Sequence, residues 1–231
     1  MKQRTKSFIR MTLRKAIDKI RREPIANSYH SGTPLQHSII ISQPFKPSST
    51  LESKKHNLRQ AAARINKLTI KPGEIFSFWH TVGNPNDASR FMAGRSIHGS
   101  TVTTDLGGGL CQASGIIHHL SLLAGLQILE RHNHSIDLYT DETRFAPIGT
   151  DATVFYGYKD LRIFNNTDGC ISFLLDIQDD NITATLRSEK EIKQLDLSIS
   201  TTEKPDGRKH VKITDHKSQV ISESNYMPMM E

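Results

Sequence analysis

Cysteine is scarce in this chain of 231 residues: only Cys111 and Cys170 are present, too few for a disulfide-stapled scaffold. Long apolar runs are missing too. Nothing approaches the roughly 18 residues of a membrane span. The first 24 residues hold only Phe8-Ile9 in tandem, whereas the apolar region of a signal peptide needs about 7–15 residues. These absences predict a soluble, non-exported protein of a reducing compartment, that is, a cytoplasmic one. Basic residues are concentrated at the N-terminus. Positions 1–24 carry nine of the 30 Lys and Arg residues but only two of the 24 acidic ones, Asp18 and Glu23. The net charge of +6 therefore belongs to the N-terminal segment, and the rest of the chain is close to neutral. A nucleic-acid-binding core would spread basic residues over its binding face, so no nucleic-acid partner is expected. What is present suffices for a core: 36% hydrophobic and 23% charged residues describe an ordinary folded domain rather than a disordered chain.

Within residues 8–20, Ile9, Leu13, Ala16, Ile17 and Ile20 recur at helical spacing, with basic residues on the other side. The plain reading is an amphipathic helix docked on the domain with a solvated face. The functional reading is a basic helix, within residues 1–24, that touches anionic lipid. Residues 24–50 are loop-rich around one strand, Ser38 to Ser42. Leu58 to Leu68 reads as a second helix, and Lys71-Pro72-Gly73-Glu74 as a turn into a short strand, Ile75 to Phe78. After residue 150 come short strands, Val154 to Tyr156, Leu161 to Phe164 and Ile171 to Ile177, with Ile182 to Leu186 as the hairpin partner of the third. Beyond Ser188 the chain turns polar, and one weak hairpin with a loose end is expected. The fold class is α+β. A basic lead-in at 1–50 precedes a single domain at 51–188, in which a buried helix packs on a mainly antiparallel sheet. A polar extension at 189–231 follows.

The chemistry concentrates in Gly107-Gly108-Gly109-Leu110-Cys111-Gln112-Ala113-Ser114. Three glycines let the backbone adopt conformations closed to other residues and let a ligand approach closely. An apolar helical pattern begins directly after them, so Cys111 falls in the first turn of a helix. There, unpaired N–H groups and the positive dipole end favour a thiolate. The N–H groups of Gly109, Leu110 and Cys111 could also hold an oxyanion. Gly125 ends the helix, and the next segment alternates like a strand from Leu126 to His134. Folded back along the helix, that strand returns His132 or His134 to the cysteine end. His118 shares the helix face but sits about 10 Å along the axis, too far for direct proton transfer. Asp151 is a candidate third group that orients the imidazole.

Plainer readings stand beside each of these. Cys111 could be a small apolar filler, Asp151 a turn cap, and His118-His119 a satisfied helix pair. Cys170, entering a strand after a turn, reads as inert packing. His132 and His134 could bind a metal, but one nearby thiol and no strong third ligand leave the metal set empty. Phe76, Phe78 and Trp79 read as core, and Asn165-Asn166-Thr167 as turn residues.

Several blocks occur in unbroken order: Lys71-Pro72-Gly73-Glu74, Phe76-Ser77-Phe78-Trp79, Val82-Gly83-Asn84-Pro85, the segment 107–112, Glu130-Arg131 with His134-Ser135, Asp151-Ala152-Thr153-Val154, Asp160-Leu161 and Asn165-Asn166-Thr167. Together they resemble the VanW family over roughly residues 55–170. The family is associated with glycopeptide-resistance gene clusters, and VanW domains of some exported cell-wall proteins are understood to be L,D-transpeptidases with a cysteine nucleophile. Carried over, the resemblance implies that Cys111 attacks, His134 serves as base and then acid, and Asp151 orients His134. Gly108, Gly109 and Leu110 would form the oxyanion or ligand loop. Gln112, Ser114, Arg131 and His132 are candidate substrate contacts. The implied substrate is a peptidoglycan-type peptide or precursor, and no cofactor is required. The competing expectation is a non-catalytic binding or accessory protein of a glycopeptide-resistance system.

Overall fold

Apolar stripes and alternating strands resolve, in the computed structural model, into four helices and thirteen strands among the described residues, which are 2–29, 34–98, 101–137 and 144–228. In chain order these are α1 (Lys2–Ile20), β1 (Ser28–Tyr29), β2 (His37–Pro44), α2 (Leu51–Ile65), β3 (Leu68–Thr69), β4 (Ile75–Ser77), α3 (Phe78–Val82), β5 (Ala93–His98), β6 (Thr101–Leu106) and α4 (Leu110–Leu123). They continue with β7 (Gln127–Glu130), β8 (Arg162–Phe164), β9 (Ile171–Ile177), β10 (Asn181–Ser188), β11 (Ser198–Glu203), β12 (Lys209–Thr214) and β13 (Val220–Tyr226). Every strand pair is antiparallel. The architecture is α+β, as the sequence predicts.

The core lies between helices and the sheet β2-β10-β9. Helix α2 packs on β9, and α4 packs on β10 and β2. Ala113, Ile116, Ile117 and Leu120 of α4 meet Leu58, Ala61 and Ile65 of α2 and Phe173 and Leu175 of β9 in one buried cluster. A helix apolar on nearly every side has to be enclosed, and α4 is: twelve of its fourteen residues are buried. Each such Leu, Ile or Phe contributes about 2 kcal/mol through burial. The smaller sheet β4-β8-β7 closes one end, and its strand β7 runs back beside α4.

Several boundaries differ from expectation. Helix α2 starts at Leu51, seven residues early, because its polar first turns are fastened from the side: Asn57 donates to the carbonyls of Met92 and Gly108, both at 2.9 Å. Phe78 opens α3 instead of ending a strand. The Ser77 Oγ accepts from His80 N, and the buried Asp160 carboxylate accepts from Trp79 N at 3.0 Å and from Ser77 Oγ. Residues 154–156 form no strand; a turn closed by a bridge between Phe155 and Lys159 stands there. The hairpin β5-β6 was not anticipated. At the C-terminal end, a three-stranded meander, β11-β12-β13, replaces the weak hairpin and buries Val211, Ile213 and Tyr226.

The N-terminal helix docks by an unexpected face. Ser7, Met11 and Asp18 are buried, whereas Ile9, Leu13, Ile17 and Ile20 point to solvent. Ionic and backbone contacts decide this orientation. Asp18 pairs with the Arg162 guanidinium, Arg14 with Glu130, and the Arg10 guanidinium lies over the Tyr158 ring. At Gly157 (φ +78°) a Cβ would lie 2.3 Å from the Ser7 carbonyl oxygen, so only glycine lets the helix backbone settle this close.

Candidate active site

The glycine loop owes its shape to its neighbours. Gly107 and Gly109 adopt positive φ. Gly108 lies against the backbone of Gly94 so closely that a Cβ would stand 2.2 Å from the Gly94 carbonyl carbon. Asn57 holds the Gly108 carbonyl from α2. Helix α4 then begins at Leu110 without a side-chain cap. The N–H groups of Gly109, Leu110 and Cys111 donate no hydrogen bond among the described residues. Cys111, second residue of the helix and partly buried, has its Sγ 3.6 Å from Thr153 Oγ1 and 3.8 Å from the Val154 carbonyl oxygen.

Gly125, at φ +65°, reverses the chain after α4. Leu126 N donates to the Ser121 carbonyl at 3.0 Å and Gly125 N to that of Leu122 at 3.1 Å, the double bond pattern of a left-handed helix terminus. The returning segment stays a strand only to Glu130, then runs irregularly past the helix start. It is fixed by Thr153 N, which donates to the His132 carbonyl at 2.7 Å, and by Ser114 Oγ, which donates to the Ala152 carbonyl at 2.6 Å.

This doubling-back brings Cys111, His134 and Asp151 together. Asp151 Oδ2 accepts from His134 N and pairs with His134 Nδ1, both at 2.7 Å, which leaves Nε2 of the ring for the Cys111 side. Asp151 Oδ1 accepts from Arg131 Nη2 at 2.9 Å and from the Tyr226 hydroxyl. Arg131 is itself enclosed: Nε donates to the Asp151 carbonyl at 2.7 Å, Nη2 to that of Gly149 at 2.8 Å, and Nη1 to Ser224 Oγ at 2.6 Å. The carboxylate that fixes the imidazole is thus fixed in turn by α4's return segment and by β13.

The electrostatics favour an ion pair. Burial pushes the Cys111 thiol up, but the His134 imidazole, a Val154 backbone hydrogen bond and Thr153 more than reverse it, and the thiol sits below its ordinary value of 9.0. Burial would lower His134, yet its bonds to Asp151 and Cys111 raise it to about 10. Burial raises Asp151, and the His134 hydrogen bond and Arg131 overcome that, holding the carboxyl well below the usual range. Thiolate, imidazolium and carboxylate support one another, each charge favouring its neighbour's.

The relay opens on a cavity of about 1070 Å³. Gly108, Gly109, Leu110 and Gln112 line it beside Cys111 and His134. The Gln112 amide nitrogen reaches the Pro44 carbonyl at 3.5 Å, while its Oε1 is buried without a hydrogen-bond partner. Two cations that the sequence reading missed, Lys54 and Arg95, also line the cavity. The Lys54 stem lies against Gly109, and its Nζ stands 5.4 Å from the centre of the Phe45 ring. Burial and then Arg95 lower Lys54 to about 8. Nothing in the polar run around Lys54 marks it; only the folded loop does. Tyr226 was missed as well, because β13 was not recognised.

Other candidates fall elsewhere. Ser114 is fully buried and tethers Ala152, so it does not reach the cavity. Arg131 serves Asp151 and lies outside the lining, and His132 turns away to Glu130 at 3.1 Å. The two histidines therefore do not share a face, because the strand between them is broken. His118 is buried with Nδ1 on the Thr150 carbonyl at 2.8 Å, and its Nε2 has no partner. Burial holds it at about 3. Among the described residues no group of three His, Cys, Asp or Glu is arranged to hold a metal ion.

Fold and site together define an α+β protein with a cysteine–histidine–aspartate relay at the start of its central helix. The chain belongs to the VanW family: the family profile described as "VanW like protein" matches residues 53–187. It is 32% identical over 144 residues to vancomycin B-type resistance protein VanW of Enterococcus faecalis, covering 62% of this chain and 52% of that protein. Over 117 residues it is also 32% identical to the uncharacterized protein YoaR of Bacillus subtilis, covering 51% of this chain and 37% of the relative. The chain thus spans about half, or less, of the length of these curated relatives. No solved structure gives a significant match. No helix among the described residues is long and apolar enough to cross a membrane.

Proposed function

We propose that this protein is a cysteine-dependent acyltransferase of the L,D-transpeptidase-like kind, acting on peptidoglycan-type peptides or precursors and contributing to glycopeptide resistance. One observation carries the reading: the Cys111–His134–Asp151 relay sits at a helix start and opens on a cavity large enough for a peptide. In the first step the Cys111 thiolate adds to an amide or ester carbonyl. The oxyanion faces the free N–H groups of residues 109–111, which hold it without reorganising. The His134 imidazolium gives its proton to the leaving amine or alcohol, the carbon–nitrogen or carbon–oxygen bond breaks, and a thioester remains on Cys111. In the second step the neutral imidazole takes a proton from an acceptor amine, which displaces the sulfur and restores the ion pair. Asp151 keeps Nδ1 occupied throughout, so Nε2 alone exchanges protons. Lys54 and Arg95 suit a carboxylate of the bound peptide.

The test is twofold. A cysteine-directed electrophile at neutral pH should label Cys111 far faster than Cys170. A synthetic peptidoglycan stem peptide should form a thioester with the native chain and none with Cys111→Ala. Equal, slow labelling of both thiols with no thioester would instead leave a binding module.

A further inference from the structure

The outward face of α1 has no role in the relay and no partner in the fold. Ile9, Leu13, Ala16 and Ile20 recur at steps of three and four, so they form one stripe along the helix. The buried Ser7, Met11 and Asp18 lie half a turn away, against the domain. The stripe therefore points directly outward: Leu13 is 57% exposed and Ile20 80%. Phe8 and Ile17 widen it. A docked surface helix does the reverse, turning its apolar side in.

Charge says what would cover this stripe. Lys6 on one flank and Lys15 and Lys19 on the other are all exposed, and Arg21 and Arg22 follow at the helix end. The acid within the helix is already used, since Asp18 is buried against Arg162. An apolar stripe edged by lysines, without acids, matches an anionic lipid surface, where the apolar side chains enter the acyl boundary and the lysines reach phosphates. A second copy of the chain would bring like charges together along the whole interface.

We infer that α1 is an interfacial membrane-docking helix that lies flat on anionic lipid through Ile9, Leu13, Ala16, Ile17 and Ile20. Arg4 and Ser7, from the first turns of the same helix, line the cavity. Docking thus leaves one helix diameter, roughly 10 Å, between the lipid and the cavity wall that Arg4 and Ser7 form.

The test uses the full chain and vesicles of phosphatidylcholine with or without phosphatidylglycerol. Sedimentation should show binding to the anionic vesicles, weakening steeply with salt, and little to the neutral ones. Replacing Lys6, Lys15 and Lys19 with Gln should cost about fivefold in partitioning per charge removed. The double variant Leu13→Ser, Ile20→Ser should abolish binding while melting temperature and Cys111 labelling stay native, because both side chains are solvent-exposed. Absence of binding to anionic vesicles, equal binding to neutral ones, or retained binding in the double variant would overturn the inference. So would a lipid-free dimer that the same variant dissociates, which would assign the face to a second copy.

Discussion

At the scale of single residues, Asp151 is the hinge of the site. Its two carboxylate oxygens divide the work, Oδ2 on the backbone and ring of His134, and Oδ1 on Arg131 and Tyr226. Asp151→Asn removes the partner of a guanidinium whose side chain is only 6% exposed. The expected loss of stability is about 2–3 kcal/mol, below that of a fully buried pair because Asp151 keeps some exposure; urea unfolding of the purified variant measures it. The same change should reduce Cys111 reactivity by leaving the ring without its acceptor. Lys54 gives a different signature. If it receives a substrate carboxylate, Lys54→Met should raise KM for a stem peptide about tenfold, as expected for a lost charged contact of about 1.4 kcal/mol. The labelling rate of Cys111 should be unchanged. Steady-state kinetics with the acid and with its amide separates the two, since only the acid should suffer.

At the scale of elements, α4 and its return carry the site, and both were largely legible. The triple glycine, the apolar helix and Gly125 predicted the reversal that brings His134 to Cys111. Spacing alone could not choose between His132 and His134, because that choice depends on where β7 stops; the family resemblance is what named His134. It stops at Glu130, whose carboxylate is drawn into the group formed by Arg14, His132, the Asp160 N–H and Arg162. The docking face of α1 was hidden for the same reason: periodicity reports an apolar stripe but not the long-range partners, here Arg162 and Glu130, that turn the other side inward. The glycine loop is the element most sensitive to substitution. Gly108→Ala would set a Cβ 2.2 Å from Gly94, so the loop must shift. We expect a loss of about 2–4 kcal/mol, in the range of an overpacked core site, with slower Cys111 labelling; calorimetry and mass spectrometry of the labelled chain check both.

At the scale of the whole molecule, residues far apart in sequence converge on one relay. Arg131 and Asp151 are held by Ser224 and Tyr226 of the C-terminal meander, which the sequence presents only as polar chain. The polar extension at 189–231 thus supports the site, and the lead-in contributes Arg4 and Ser7 to the cavity wall. Stability should follow the ion pair. His134 is raised from 6.5 to about 10, so the stabilisation it gives is fully present below 6.5 and lost as pH rises through about 10. The difference in melting temperature between the native chain and His134→Gln should accordingly shrink over that window, with differential scanning calorimetry at stepped pH as the measurement.

The relay depends on a thiol made acidic by the imidazole beside it, and the pH profile of Cys111 alkylation tests that most directly. In the native chain the rate should reach its plateau below the ordinary thiol value of 9.0, and fall as pH drops through the lowered value. In His134→Gln the rise should move up to the ordinary value or beyond, because burial then acts unopposed. Identical profiles in the two proteins, both rising near the ordinary thiol value, would contradict it.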